Sequence, residues 1–272
     1  MSAPATILLW TDPGKNAAPA PELCCYLLPG EKNPRPAVLV IPGGGYGCVC
    51  ESTEGEPIAR KFNELGFHAF VLHYRVAPHR FPEPQEDVLR AIRLIRARAG
   101  AWRVIPDRLA VCGFSAGGHL AASAGTLFDE ISADAGDDAD LQNARPDAMI
   151  LCYPVISFSR FAHEGSARNL LGGHFPQWKE RLSLETRVTE KTPPAFIWHT
   201  AEDAAVPWRN SAMMAEALYD KKVPCSLHIF PHGGHGMLLG TGTPDVVQWP
   251  EMAKRFLIRS CGFSVPDSPT EF

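Results

Sequence analysis

The sequence predicts an α/β protein: a mainly parallel, doubly wound sheet with helices on both faces. Three observations carry that expectation. Apolar runs such as AVLVI at 37–41 and AMILCY at 148–153 have no polar side, as strands buried on both faces require. Between the runs lie segments with apolar residues three and four apart, which supply the crossovers that parallel pairing needs. Proline and glycine mark the joins, and no internal repeat or linker divides the chain. Residues 1–272 are therefore expected to form one domain.

Residues 6–10 and 23–28 read as early edge strands separated by a loop rich in Pro, Ala, Gly and Asn, and 29–36 as a polar turn. Strand 37–41 is bounded by Pro36 and Pro42 and runs straight into Gly43-Gly44-Gly45-Tyr46. Ile58, Phe62 and Leu65 share one face of a helix over 54–66, stopped by Gly66. Strand 67–74 follows, then a proline-rich loop through Pro84 and an amphipathic helix marked by Val88, Ile92 and Ile95 and studded with Arg. The run 109–112 begins after Pro106-Asp107-Arg108, and small residues from Ala116 onward suit a helix pressed against a sheet. Segment 129–140 reads as a solvated loop, because its acids do not match calcium-loop spacing. Strand 148–153 closes at Pro154, and the irregular stretch 156–192 reads as a small lid inserted at the sheet's C-terminal edge. Strands 195–199 and 226–230 flank a helix over 208–220, and a last amphipathic helix covers 246–260. The polar tail from Ser264 is expected to fray.

Bulk properties narrow the function. The chain has 272 residues, 45% hydrophobic and 21% charged, with a net charge of −4. Its Lys and Arg are scattered, which gives no footprint for nucleic acid or an anionic membrane. The start, MSAPATILLWTDPGKN, has no basic n-region, and no apolar stretch approaches the ~18 residues of a membrane span. A cytoplasmic location is expected. Of the eight cysteines, Cys112, Cys152 and Cys225 fall in predicted strands and Cys24 adjoins Cys25, so they read as reduced small hydrophobes. Cys48 and Cys50 have no second pair at zinc spacing, and no metal is expected.

Chemistry concentrates at Gly113-Phe114-Ser115-Ala116-Gly117. The pattern alone is weak, but it stands between a predicted strand and a small-residue helix, where G-x-S-x-G forms a nucleophile elbow. A serine there needs a base and a carboxylate to orient that base. Groups of this kind sit beyond the C-terminal ends of strands. Asp203 follows strand 195–199, and His235 follows strand 226–230, giving the order Ser, Asp, His. Glu202 competes with Asp203, which is favoured because Val206-Pro207 fixes the loop behind it. His232 competes with His235, which is favoured because two glycines precede it. His68, His73, His119 and His199 read as ordinary polar positions. The oxyanion donors are expected at the Ala116 N–H, which opens the elbow helix, and in the Gly43-Gly44-Gly45 loop. Tyr46, Trp178 and Trp208 are candidates for stacking on a sugar ring, against a plainer role in core or lid packing.

The segments VLVIPGGGYG, YRVAP, GFSAGGHLAAS, RPDAMILCYPVIS, HTAEDAAVP and FPHGGHG together resemble the α/β-hydrolase superfamily over nearly the whole chain. More narrowly, they resemble its acetyl esterase/lipase-like branch, which includes acetylxylan and feruloyl esterases. The resemblance implies Ser115 as nucleophile, His235 as general base and then acid, and Asp203 as orienting acid. It implies Gly44, Gly45 and Ala116 as oxyanion donors. The related hormone-sensitive-lipase-like esterases carry a His where this chain has Pro42. It further implies a cofactor-free ester hydrolase that works through an acyl-enzyme, with an acetylated xylo-oligosaccharide or similar carbohydrate as the small-molecule partner. Two rivals stand beside it. One is an amide hydrolase with the same triad, kynurenine-formamidase-like or peptidase-like. The other is an inactive binding protein on the same scaffold.

Overall fold

The computed structural model describes residues 4–16, 19–30 and 33–265. Eight strands form one sheet: β1 (Ala5–Leu8), β2 (Glu22–Tyr26), β3 (Arg35–Ile41), β4 (His68–His73), β5 (Val104–Phe114), β6 (Ala148–Cys152), β7 (Ala195–Thr200) and β8 (Cys225–Phe230). Their order across the sheet is β1-β2-β4-β3-β5-β6-β7-β8. The first two strands pair antiparallel, as do β2 and β4, and every pairing from β4 across to β8 is parallel.

Period-two alternation divides the strand residues between two cores. Leu39, Ile41, Val111, Met149 and Leu151 point to one face, and Val38, Val40, Ala110, Cys112 and Ile150 to the other. The connecting helices are α1 (Glu51–Glu54), α2 (Glu56–Glu64), α3 (Glu83–Ala97), α4 (Ala99–Trp102), α5 (Ala116–Thr126), α6 (Glu164–Leu171), α7 (Phe175–Trp178), α8 (Arg209–Asp220) and α9 (Trp249–Cys261). Val88 and Ile92 of α3, Leu120 of α5 and Met214 of α8 fill the first core. Ile58 and Phe62 of α2 join Trp249 and Leu257 of α9 in the second. Trp249 stacks on Trp198 there, with ring centroids 5.6 Å apart. Burying a side chain of this size contributes about 2–3 kcal/mol.

Several boundaries move for physical reasons. Strand β3 starts at Arg35, before Pro36, and its pairing with β5 shifts register between Arg35 and Ala37. A proline is tolerated in a sheet at such an irregularity. Helix α3 begins at Glu83, so Pro84 lies inside its first turn, where no intrahelical N–H bond is lost. The helix expected over 54–66 is split at Gly55, whose added Cβ would lie 2.6 Å from the Glu51 carbonyl oxygen.

Segment 129–140 is not a freely solvated loop. Asp137 and Asp140 pair with Arg90 of α3, a residue only 1% exposed, and Asp134 pairs with Arg93. A buried guanidinium needs such partners, and that need is invisible in a helix read only for its apolar face. At the other end, Val265 packs against Gly66, whereas the rest of the tail expected to fray, residues 266–272, lies outside the described residues.

Candidate active site

Strand β5 hands over to α5 at a single residue, Ser115, with φ +52° and ψ −118°. The left-handed φ is costly for any residue but glycine, so the surroundings must enforce it. They do so by close packing. A Cβ on Gly113 would lie 2.2 Å from the Gly117 carbonyl oxygen and 2.7 Å from Ala121 Cβ. One on Gly117 would lie 2.2 Å from the Ile41 oxygen and 2.4 Å from the Pro42 oxygen. Both outer glycines of the motif are therefore sterically required. The Ser115 N–H donates to the Cys152 carbonyl at 3.0 Å, and its own carbonyl accepts from Val155 N–H at 3.0 Å.

The structure brings Ser115, His235 and Asp203 into one hydrogen-bonded chain. His235 Nε2 lies 2.8 Å from Ser115 Oγ, and His235 Nδ1 lies 2.6 Å from Asp203 Oδ2. A carboxylate only accepts, so Nδ1 carries the proton and Nε2 is left to accept the serine hydroxyl. Asp203 Oδ1 accepts from the Ala205 and Val206 amides at 2.9 Å each. His199 stands behind it, its Nε2 3.2 Å from Asp203 Oδ2 and 2.8 Å from the Val206 carbonyl. Its Nδ1 lies 2.8 Å from Ser211 Oγ. Burial alone would raise the Asp203 pKa, but the bonds from His199, His235 and Val206 outweigh it and hold the carboxyl well below the usual range. His199 is therefore more than an ordinary polar position. The two rival residues pair with each other instead: Glu202 Oε1 meets His232 Nδ1 at 3.1 Å, on the surface.

The glycine loop after β3 packs against the serine. A Cβ on Gly43 would lie 3.1 Å from Ser115 Cβ. Gly44 and Gly45 have φ of +124° and +64°, and a Cβ on Gly44 would meet the Cys48 carbonyl oxygen at 2.2 Å. Among the described residues, the N–H groups of Gly44, Gly45 and Ala116 have no hydrogen-bond partner. Ala116 adjoins Ser115 in the chain, and Gly44 and Gly45 follow the Gly43 that packs on it.

Two buried side chains that sequence reading missed hold this loop. Glu54, on α1, accepts the Gly43 N–H at Oε2 (2.6 Å) and the Tyr153 hydroxyl at Oε1 (2.8 Å). The Tyr153 ring packs edge-on to His235 with centroids 5.1 Å apart, and its hydroxyl also accepts the Leu238 N–H at 3.3 Å. Burial raises the Glu54 pKa, against the bonds from Gly43 and Tyr153 and the nearby His235. Its spacing in the sequence held a signal: Glu54 lies four residues before Ile58 and eight before Phe62, in line with the apolar face.

His119 is the second. Its Nε2 meets the Leu182 carbonyl at 2.9 Å, so that nitrogen donates, and Nδ1 accepts from the Tyr46 hydroxyl at 2.9 Å. The ring stacks on Phe158 at 4.5 Å. Burial pushes its pKa down to about 4, against the bond to Leu182.

The proposed sugar-stacking residues fare unevenly. Tyr46 is 0% exposed, its hydroxyl committed to His119, so no face remains for a sugar ring. Trp178 packs on Phe81, from the loop ahead of α3, at 5.3 Å and under Arg181 at 5.0 Å, so its ring is taken up by packing. Trp208 stands half-buried ahead of α8, with the Arg209 guanidinium 5.1 Å over its ring. Segment 156–192 reaches the glycine loop: Asn169 of α6 donates from Nδ2 to the Gly45 carbonyl at 2.9 Å. His163, capping α6, is shifted down in pKa by burial and then by the charge of His235.

A hydroxyl bonded to an imidazole, a carboxylate behind the imidazole and unspent amides alongside can add an oxygen nucleophile to an acyl carbonyl. No cluster of metal-ligating side chains among the described residues includes Ser115, Asp203 or His235.

Residues 23–218 match the BD-FAE family. An endo-1,4-β-xylanase B of Butyrivibrio fibrisolvens is 43% identical over 225 residues, 80% of this chain and 34% of that protein. An acetylxylan esterase of Xylanibacter ruminicola is 32% identical over 227 residues, 81% of this chain and 44% of that protein. The chain thus spans less than half the length of either relative. The crystal structure of an acetyl ester-xyloside bifunctional hydrolase from Caldicellulosiruptor lactoaceticus superposes with a TM-score of 0.88 at 41% identity, covering 95% of this chain and 97% of that one.

Proposed function

We propose, from the premise that this chain belongs to the BD-FAE family of α/β hydrolases, that it is a serine carboxylesterase removing short acyl groups, acetyl foremost, from xylo-oligosaccharides or related carbohydrates. The observation that carries the reading is the unbroken chain from Ser115 Oγ through His235 to Asp203. The substrate class is supported by what the similar proteins are named for, an acetylxylan esterase and an acetyl ester-xyloside hydrolase.

In this reading Ser115 Oγ attacks the ester carbonyl while His235 Nε2 takes its proton. The new oxyanion is met by the N–H of Ala116 with those of Gly44 and Gly45, where a single lost donor costs about 3–4 kcal/mol of transition-state stabilisation. The imidazolium, stabilised by Asp203, then protonates the departing alcohol, which leaves an acyl group on Ser115. Water deprotonated by the same His235 nitrogen attacks that acyl group and frees acid and serine. Segment 156–192 is the lid, and through Asn169 it borders the oxyanion loop.

The test is acetate release. Wild type hydrolyses p-nitrophenyl acetate and acetylated xylo-oligosaccharides, and Ser115→Ala lowers kcat by about 10⁶-fold. Equal slow turnover by both proteins would sink the reading. Preference for N-formylkynurenine over every ester would move it to amide hydrolysis.

A further inference from the structure

Away from the serine, three donor side chains of different chemistry converge where the antiparallel part of the sheet meets α1. Cys24 of β2 faces Val71 of β4 in the ladder, and His73 faces Glu22. Cys24 and His73 are thus diagonal neighbours on one face of the strand pair. Glu51, the first residue of α1, comes from above that face. The Cys24 sulfur, a Glu51 carboxylate oxygen and a His73 ring nitrogen all lie within 4.8 Å of one another. His73 Nε2 is 3.0 Å from Glu51 Oε1, yet it makes no aligned hydrogen bond.

A tetrahedral zinc ion at ordinary Zn–S, Zn–N and Zn–O lengths sets its ligand atoms about 3.4–3.6 Å apart. The His73–Glu51 contact is shorter than that spacing and the other separations lie within 4.8 Å, so rotations about side-chain bonds are needed to set the three atoms around an ion. Cys24 is buried, while the His73 and Glu51 side chains are 28% and 40% exposed, which leaves a route in from solvent. One thiolate, one imidazole and one carboxylate suit borderline-soft Zn²⁺ or Co²⁺ and disfavour Mg²⁺ and Ca²⁺.

We propose that Cys24, Glu51 and His73 form a binding site for a zinc-class divalent cation, with water in the fourth position. Binding breaks the Cys24 S–H bond and forms a metal–thiolate bond, and the proton passes to solvent. His73 contributes a neutral ring nitrogen and Glu51 its carboxylate, so no oxidant or reductant is needed. The ion would fasten α1 to strands β2 and β4. The same α1 carries Glu54, so the site adjoins the support of the glycine loop without touching the reacting atoms.

The test uses the full chain without an affinity tag, stripped with chelator, then titrated with Zn²⁺ against a competing metal indicator and with Co²⁺ by absorption. Wild type is expected to bind one equivalent, to show a thiolate-to-cobalt charge-transfer band and to gain thermal stability with Zn²⁺. Cys24→Ser should lose the band and bind Zn²⁺ at least about 100-fold more weakly, whereas Cys48→Ser should keep both. His73→Gln, a second ligand variant, should likewise lose the Zn²⁺-dependent rise in melting temperature, and its metal-free melt shows whether it folds. A band that survives Cys24→Ser would overturn the proposal, as would a wild type that binds no more Zn²⁺ than the two ligand variants. None of these readouts depends on hydrolytic activity.

Discussion

Two buried carboxyls flank the His235 imidazole, and their pKa values move in opposite directions. Asp203 is held far below the usual carboxylate range, whereas Glu54 is raised above it. The penalty for desolvating a charge acts on both. What differs is the number of donors aimed at each. Asp203 accepts from His199, His235 and the amides of Ala205 and Val206. Among the described residues, Glu54 accepts from Gly43 and Tyr153. Burial therefore does not by itself make a carboxyl neutral or charged; the surrounding hydrogen-bond donors decide. On the Asp203 side they hold a charge against the His235 ring, and on the Glu54 side they fix a loop and a tyrosine wall.

The strongest way to break that comparison is to remove the charge on the donor-rich side. Asp203→Asn should lower kcat on p-nitrophenyl acetate by about 10⁴-fold with the fold intact by circular dichroism. A loss no greater than that of Glu54→Gln would make the two carboxyls equivalent.

Next comes His119, a third buried titrating group. Its folded pKa of about 4 lies below its ordinary value of 6.5, so its contribution to stability is complete above pH 6.5 and is lost as pH falls toward 4. Full protonation would cost on the order of 3 kcal/mol. Urea midpoints should therefore fall between pH 7 and pH 4.5 in wild type and fall less in His119→Gln. Parallel pH curves would remove His119 from the account.

Glu54→Gln should lower kcat by about 10- to 100-fold, as expected for one charged hydrogen bond, with KM little changed. A loss within about twofold would remove Glu54 as a support of the glycine loop.

Smallest of all, Glu202→Gln should change kcat by less than about twofold, because an exposed pair contributes little. A large effect there would overturn the choice of Asp203.

The parts legible in sequence are those whose cause is local. The β3 and β5–β7 strands announce themselves by unbroken apolar runs, and the elbow by glycines that a sharp turn requires. Asp203 and His235 follow because strand ends are legible. The supports were not legible, because their partners meet only after folding. Glu54 sits in ESTEGEP among acids that look alike, and only its helical spacing from Ile58 marks it. His119 takes its meaning from Tyr46 and Leu182, far away in both directions. Arg90 looked like a surface stud because nothing near it in the chain shows that Asp137 will cover it.

The bond from Asn169 to the Gly45 carbonyl bears on redesign. In many scaffolds the loops that choose a substrate can be exchanged as modules while the chemistry beneath is left alone. Here the segment proposed as the lid also braces the glycine loop through Asn169, and it supplies the Leu182 carbonyl that anchors His119. Transplanting 156–192 from a relative would therefore import a new turnover rate together with a new preference. A library meant to change only the preference should leave Asn169 and the backbone at Leu182 untouched.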